Sequence, residues 1–221
     1  MTTLYKEKVQ CAVCGSEADY TAIASTNVNG SPDLDTRPPE MERSTIFAWV
    51  QRCPECGYCA SDVSKAPSHA PTLVRSPEYT RQLSDPACPE LANGFLCKAL
   101  VDESSGDYAA AAWALIYAAW ACDDAEKAEP ARTCRGKAVD MIEKALGNGQ
   151  KFAEQDGADA AIRVDLLRRA GRIAEARQLI TTSRHAGPED VFVKIFNFQE
   201  TLLTGGDQTC HTIAEAFGED E

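Results

Sequence analysis

Two cysteine pairs, Cys11-Ala-Val-Cys14-Gly15 and Cys53-Pro-Glu-Cys56-Gly57-Tyr58, constrain this chain more than any other feature. Two intervening residues let both sulfurs of a pair face one ion, and four thiolates delivered as two short knuckles build a closed tetrahedral site for a soft divalent metal. The glycine after each pair allows a turn to positive φ that aims backbone N–H groups at the sulfurs. Pro54 stiffens the second turn by fixing its own φ. Cys11, Cys14, Cys53 and Cys56 are therefore the expected ligands, for Zn2+ first and iron as the alternative. Thirty-eight residues (15 to 52) separate Cys14 from Cys53, so a substantial segment is looped out between the knuckles. Cys59 follows the second pair closely but is expected to stand outside the site, because four ligands already close it.

The chain has 221 residues, enough for two unequal parts. Its first residues hold no apolar run of the signal-peptide kind and no stretch is long and apolar enough to span a membrane, so a cytoplasmic location is expected. There, ten cysteines read as metal ligands plus buried thiols rather than disulfides. Net charge is −12; residues 1–75 carry 7 basic and 9 acidic side chains, residues 76–221 carry 15 and 25. Neither part offers the clustered Lys and Arg that neutralise phosphates, so nucleic acid is not an expected partner.

The pattern predicts an α+β chain: a zinc-ribbon-like β module over 1–65, a Pro-rich junction over 66–89, and an all-α array of helical hairpins over 90–221. Strands are expected at 4–10, 20–28 and 44–52, the last from the β-branched and aromatic run Thr45-Ile46-Phe47-Ala48-Trp49-Val50-Gln51. The junction should hold one short helix capped by Ser76 with Pro77 in its first turn. Helices are expected at 90–104, 107–122, 131–147, 158–170, 173–185, 189–204 and 208–217, separated by Gly and Pro signals. Gly171 and Gly206 lie 35 residues apart and Gly106 and Gly171 lie 65 apart. That period, with small residues where paired helices touch, resembles tetratricopeptide repeats, best in Leu166 to Arg177.

Trp113, Tyr117 and Trp120, at i, i+4 and i+7 on an Ala-rich helix, should be core, and Cys97, Cys122 and Cys134 should behave as small hydrophobes. Arg163, Arg168, Arg169, Arg172, Arg177 and Arg184 fall in one hairpin, where residues 163–184 contain only Asp165 and Glu175 as acids. In so acidic a chain this is the candidate partner surface, suited to an acidic peptide or a carboxylate terminus; the plainer alternative is a solvated face. Asp33, Asp35 and Arg37 sit in the looped-out segment. They could support acid–base chemistry, but short Asp side chains that fasten loop backbone and pair with the arginine are the simpler account. His69, His185 and His211 are scattered, and no nucleophile elbow, P-loop or dinucleotide fingerprint occurs.

The ordered set of Cys-x-x-Cys-Gly, Asp33-Leu34-Asp35-Thr36-Arg37-Pro38, Cys-Pro-x-Cys-Gly-Tyr and trailing repeat-like helices resembles a bacterial family known only as a conserved domain of unknown function. The resemblance implies that Cys11, Cys14, Cys53 and Cys56 bind metal, and it transfers no activity to the Asp-x-Asp-x-Arg segment. The knuckles are also similar to those of rubredoxins, which hold one iron and move electrons. The expected function is a non-catalytic scaffold that binds a protein or peptide. The alternatives are iron electron transfer, or a thiol or carboxylate enzyme using Cys59 or the 33–37 loop.

Overall fold

The computed structural model describes residues 1–155 and 157–219. The fold is α+β, with two small antiparallel ribbons followed by helices. Strand β1 (Thr3–Gln10) pairs with β2 (Glu17–Ser25), and the first knuckle is the turn between them. Strand β3 (Gln51–Arg52) pairs with β4 (Cys59–Ala60), and the second knuckle is their turn.

The expected strand at 44–52 is largely absent: Glu40–Arg43 is a short helix, α1, Ile46–Ala48 is a 3₁₀ turn, and only Gln51–Arg52 is extended. Thr45 explains the change. Its hydroxyl donates to the Glu42 carbonyl at 2.7 Å and accepts from Trp49 Nε1 at 3.0 Å, a local bonding pattern that favours a helical turn. Ile46, Trp49 and Val50 then share one face toward the core while Phe47 is left exposed.

Two short helices, α2 (Ala70–Leu73) and α3 (Pro77–Leu83), fill the junction, and the Ser76 side chain caps α3 by accepting from the Tyr79 N–H. The array comprises α4 (Glu90–Ser104), α5 (Tyr108–Asp124), α6 (Ala128–Gly147), α7 (Ala158–Arg169), α8 (Ile173–His185) and α9 (Asp190–Gly205). Each packs on the next, and α7 also meets α9. Helix α6 runs through Pro130 because the first helical turn has no intrahelical use for the missing N–H. Helix α5 is apolar nearly all round and central, with ten of its residues buried. Its aromatic stripe is core: Trp113 stacks on Phe152 at 4.6 Å, and Tyr117 meets Trp49 edge-on at 5.1 Å. Cys97, Cys122 and Cys134 are buried as well.

The helix expected at 208–217 shrinks to α10 (Ile213–Ala216), capped by Thr212 and Glu215. The residues before it serve instead as an extended partner for the looped-out segment. Leu34 N–H donates to the His211 carbonyl, Ile213 N–H to that of Pro32, and Asp33 bridges Thr212. His211 stabilises this tail through Asp207 (3.0 Å) and Glu215 (2.6 Å), with Thr209 Oγ1 at 3.1 Å and the Phe198 ring edge-on at 5.6 Å. Burial lowers its pKa, but the two carboxylates outweigh that and raise it above the ordinary 6.5. The imidazolium's contribution is complete below the ordinary value and is lost as pH rises through the folded one. In denaturant titrations above pH 6.5, wild type should therefore lose stability more steeply than His211→Gln. Equal slopes would remove His211 as the cause.

Candidate metal centre

The two ribbon turns bring Cys11, Cys14, Cys53 and Cys56 together, with all four sulfurs within 4.8 Å of one another. Cys11 Sγ lies 3.7 Å from Cys56 Sγ, and Cys14 Sγ lies 3.6 Å from Cys53 Sγ. A tetrahedron with metal–sulfur bonds of about 2.3 Å has edges of about 3.8 Å, so the donor set fits a tetrathiolate ion. The turns share their construction. Gly15 N–H donates to the Cys11 carbonyl and Gly57 N–H to that of Cys53, and both glycines sit at positive φ (76° and 75°). At Gly57 the positive φ favours glycine, and an added Cβ would stand 2.5 Å from Leu83 Cδ2, so that leucine would have to move aside.

Backbone N–H groups point at the sulfurs: Val13 and Cys14 at Cys11, Glu55 and Cys56 at Cys53, Ser16 at Cys14 and Tyr58 at Cys56. Burial pushes the Cys53 thiol up, but these donors and the Ser16 hydroxyl outweigh it and pull it down to about 6. Burial dominates at Cys56, whose thiol is raised. Ser16 was not singled out from sequence, yet its Oγ lies 3.0 Å from Cys14 Sγ and 3.3 Å from Cys53 Sγ; its position directly after Gly15 was the available signal. Cys14 is exposed while Cys11 and Cys53 are buried, so solvent meets the cluster on one side.

Cys59 lies outside the cluster, fully buried, with its thiol directed at the Gly57 carbonyl at 3.3 Å. Tyr79 of α3 fastens this corner: its hydroxyl donates to the Gly57 carbonyl at 3.1 Å and accepts from Cys59 N–H at 2.9 Å. A buried tyrosine therefore ties the second knuckle to the helices. Neither His69, bonded to Ser104, nor His185, bonded to the Thr181 carbonyl, joins the sulfurs.

Asp33, Asp35 and Arg37 were expected to pair with one another, but their side chains take partners elsewhere inside the protein, and Asp35 reaches the arginine hairpin. Asp35 is wholly buried; its Oδ2 accepts from Arg169 Nη1 and Trp120 Nε1, each at 2.9 Å, with Arg135 Nη2 at 3.9 Å. Asp123 accepts from Arg135 and, at 2.8 Å, from Arg169 Nη2, and Arg37 pairs with Asp124. Arg43 holds Asp33 at 2.9 Å; burial raises the Asp33 pKa and the neighbouring Asp35 adds to that, against Arg43 and the Cys210 thiol. Thr36 between the two anchors has φ 66°, a left-handed conformation that a β-branched residue adopts only when its surroundings dictate it.

The arginines expected to form a cationic face are committed elsewhere. Arg168 is wholly buried on Asp165 (2.6 Å) and the carbonyls of Asp207 and Thr209, and Arg169 serves Asp35 and Asp123. Arg163 pairs with Glu143, Arg172 with Asp140 and Glu175, Arg184 with Glu200, and Arg177 donates to the Leu203 carbonyl. Charge counted along the hairpin missed these partners because most come from other helices and from the 33–37 loop. Among the described residues no helix is long and apolar enough to cross a membrane. No family model, curated protein or solved structure matches the chain.

Proposed function

We propose that this is a zinc-binding protein in which the ion is a structural staple and the function is recognition of a protein or peptide rather than chemistry. The metal assignment is carried by the four sulfurs, gathered within 4.8 Å of one another by the two turns, whose backbone N–H groups favour the thiolates. Zn2+ suits such a set because it imposes no redox change and accepts tetrahedral thiolates, and four protein ligands leave no open position for a reacting water. Consecutive helices that each pack on the next support the resemblance to repeat scaffolds. Ten cysteines outside disulfides, four as ligands and six as thiols, suit a reducing, cytoplasmic setting. The large apolar side chains left exposed among the described residues favour the β module as the recognition surface: Met1, Leu4, Tyr5, Val28 and Phe47 all belong to it, and only Leu146 lies in the array.

Elemental analysis of the purified protein should return one zinc per chain in a colourless sample, and Cys14→Ser should lower that content. Stoichiometric iron with a reversible visible band would replace this reading with the rubredoxin-like one.

A further inference from the structure

Strand β1 pairs with β2 and with nothing else among the described residues, leaving its other edge free along Thr3–Gln10. A free edge is a template for an added strand, and proteins commonly blunt it with charge, cover or a bulge. This edge has charge without cover. Leu4, Lys6 and Lys8 alternate onto one face, Tyr5, Glu7 and Val9 onto the other, and Leu4 and Tyr5 are 45% and 48% exposed. Lys8 faces Asp19 across the ribbon and meets Glu17 at 3.7 Å, a weak exposed pair, whereas Lys6 faces Thr21 and has no acid opposite it.

The charges discriminate between occupants. Two copies joined edge to edge by a two-fold axis must pair residues that point to the same face. The two registers of greatest overlap then place Lys6 against Lys6, or Glu7 against Glu7 with Lys6 against Lys8. Like charges directly opposite are destabilising. A strand of different sequence avoids this conflict.

We propose that the free edge of β1 takes an extended segment of a partner protein as a third, antiparallel strand. That segment carries acids opposite Lys8 and Lys6, a base opposite Glu7, and an aromatic and an aliphatic residue opposite Tyr5 and Leu4. In chain order it reads acid, base, acid, aromatic, aliphatic. Main-chain hydrogen bonds supply attachment, and alternate side chains supply selection. This rests on the interaction reading above and moves the recognition surface from the arginine hairpin to the ribbon.

The probe is a short synthetic peptide with Glu-Arg-Glu-Tyr-Leu at its centre, titrated into the zinc-loaded protein while amide hydrogen exchange is followed. Exchange should slow along residues 3–10. The Lys6→Glu/Lys8→Glu variant, with zinc content unchanged, should bind at least about tenfold more weakly, a difference of about 1.4 kcal/mol. A peptide with Lys in place of both Glu should recover binding to the variant and lose it to wild type. Protection confined to the helices would overturn the edge assignment while leaving the interaction reading standing. Equal binding of both peptides, or none to zinc-loaded protein, would overturn the proposal outright. So would concentration-dependent self-association abolished by the same variant, which would assign the edge to a second copy.

Discussion

Cys11→Ser or Cys53→Ser is expected to unfold far more than the two ribbons that carry the knuckles. Structural zinc contributes on the order of 10 kcal/mol, comparable to the whole stability of a typical domain at about 5–15 kcal/mol. The segment between the knuckles is itself docked into the helices: Asp35 joins Trp120 of α5 and Arg169 of α7, and Arg37 joins Asp124 of α5. Loss of the staple frees that segment and strips Arg135 and Arg169 of a buried counter-charge. Chelation of the wild-type protein should therefore produce one transition, coincident by far-UV circular dichroism, which follows the helices, and by fluorescence of its three tryptophans, Trp49, Trp113 and Trp120. Helical signal that survives intact after zinc has left would show that the array stands without the metal.

Asp35→Ala should be the most damaging single change away from the cysteines, costing about 3–5 kcal/mol, because it leaves Arg169 and Arg135 one buried counter-charge short, with Asp123 retained, and Trp120 Nε1 without its acceptor. Asp35→Asn keeps an acceptor for Trp120 Nε1 but removes the charge, so it should recover only part of the loss. Pairing Asp35→Ala with Arg169→Met should cost clearly less than the two changes added together, since each removes the other's orphaned charge. Urea midpoints for the four proteins give the coupling directly. A loss below about 1 kcal/mol for Asp35→Ala would mean that water or other groups reach the site and the pair is not truly buried. The network also contains Arg37 Nε and Arg135 Nε, which are buried without a hydrogen-bond partner among the described residues. An apolar replacement of the whole network is therefore compatible with equal stability, and its value lies in fixing where the loop sits.

The four-cysteine cluster was legible because its determinants are local: two cysteines, their spacing and the following glycine specify a turn whatever surrounds it. The same holds for the Ser76 cap and for the all-round apolarity of α5. The 44–52 segment was misread because β-branched and aromatic residues signal burial as much as extension, and the spacing of Ile46, Trp49 and Val50 competed with the strand pattern. The pairing of the arginine hairpin was only partly legible, for another reason. Asp165 stood three and four residues before Arg168 and Arg169, a visible local partner. Asp35, 134 residues from Arg169, could not be connected to it from one sequence. The residues 208–217 lost their helix to a tertiary partner in the same way.

The strand-like contact between residues 31–34 and 211–214 has a consequence for the order of synthesis. Ser31 and Ala214 are bonded across 183 positions, and the Asp33–Thr212 bridge lies beside them. Both knuckles are available to a metal once residue 56 has emerged from the ribosome, yet the segment between them has no final seat until residue 213 follows. Until then residues 31–34 lack the chain that pairs with them, whereas Asp35 and Arg37 can reach Trp120, Asp124 and Arg169 as soon as those helices exist. Closure of so distant a contact is the slow kind of step in folding, so residues 211–214 complete a seat that the loop cannot build from its own neighbours.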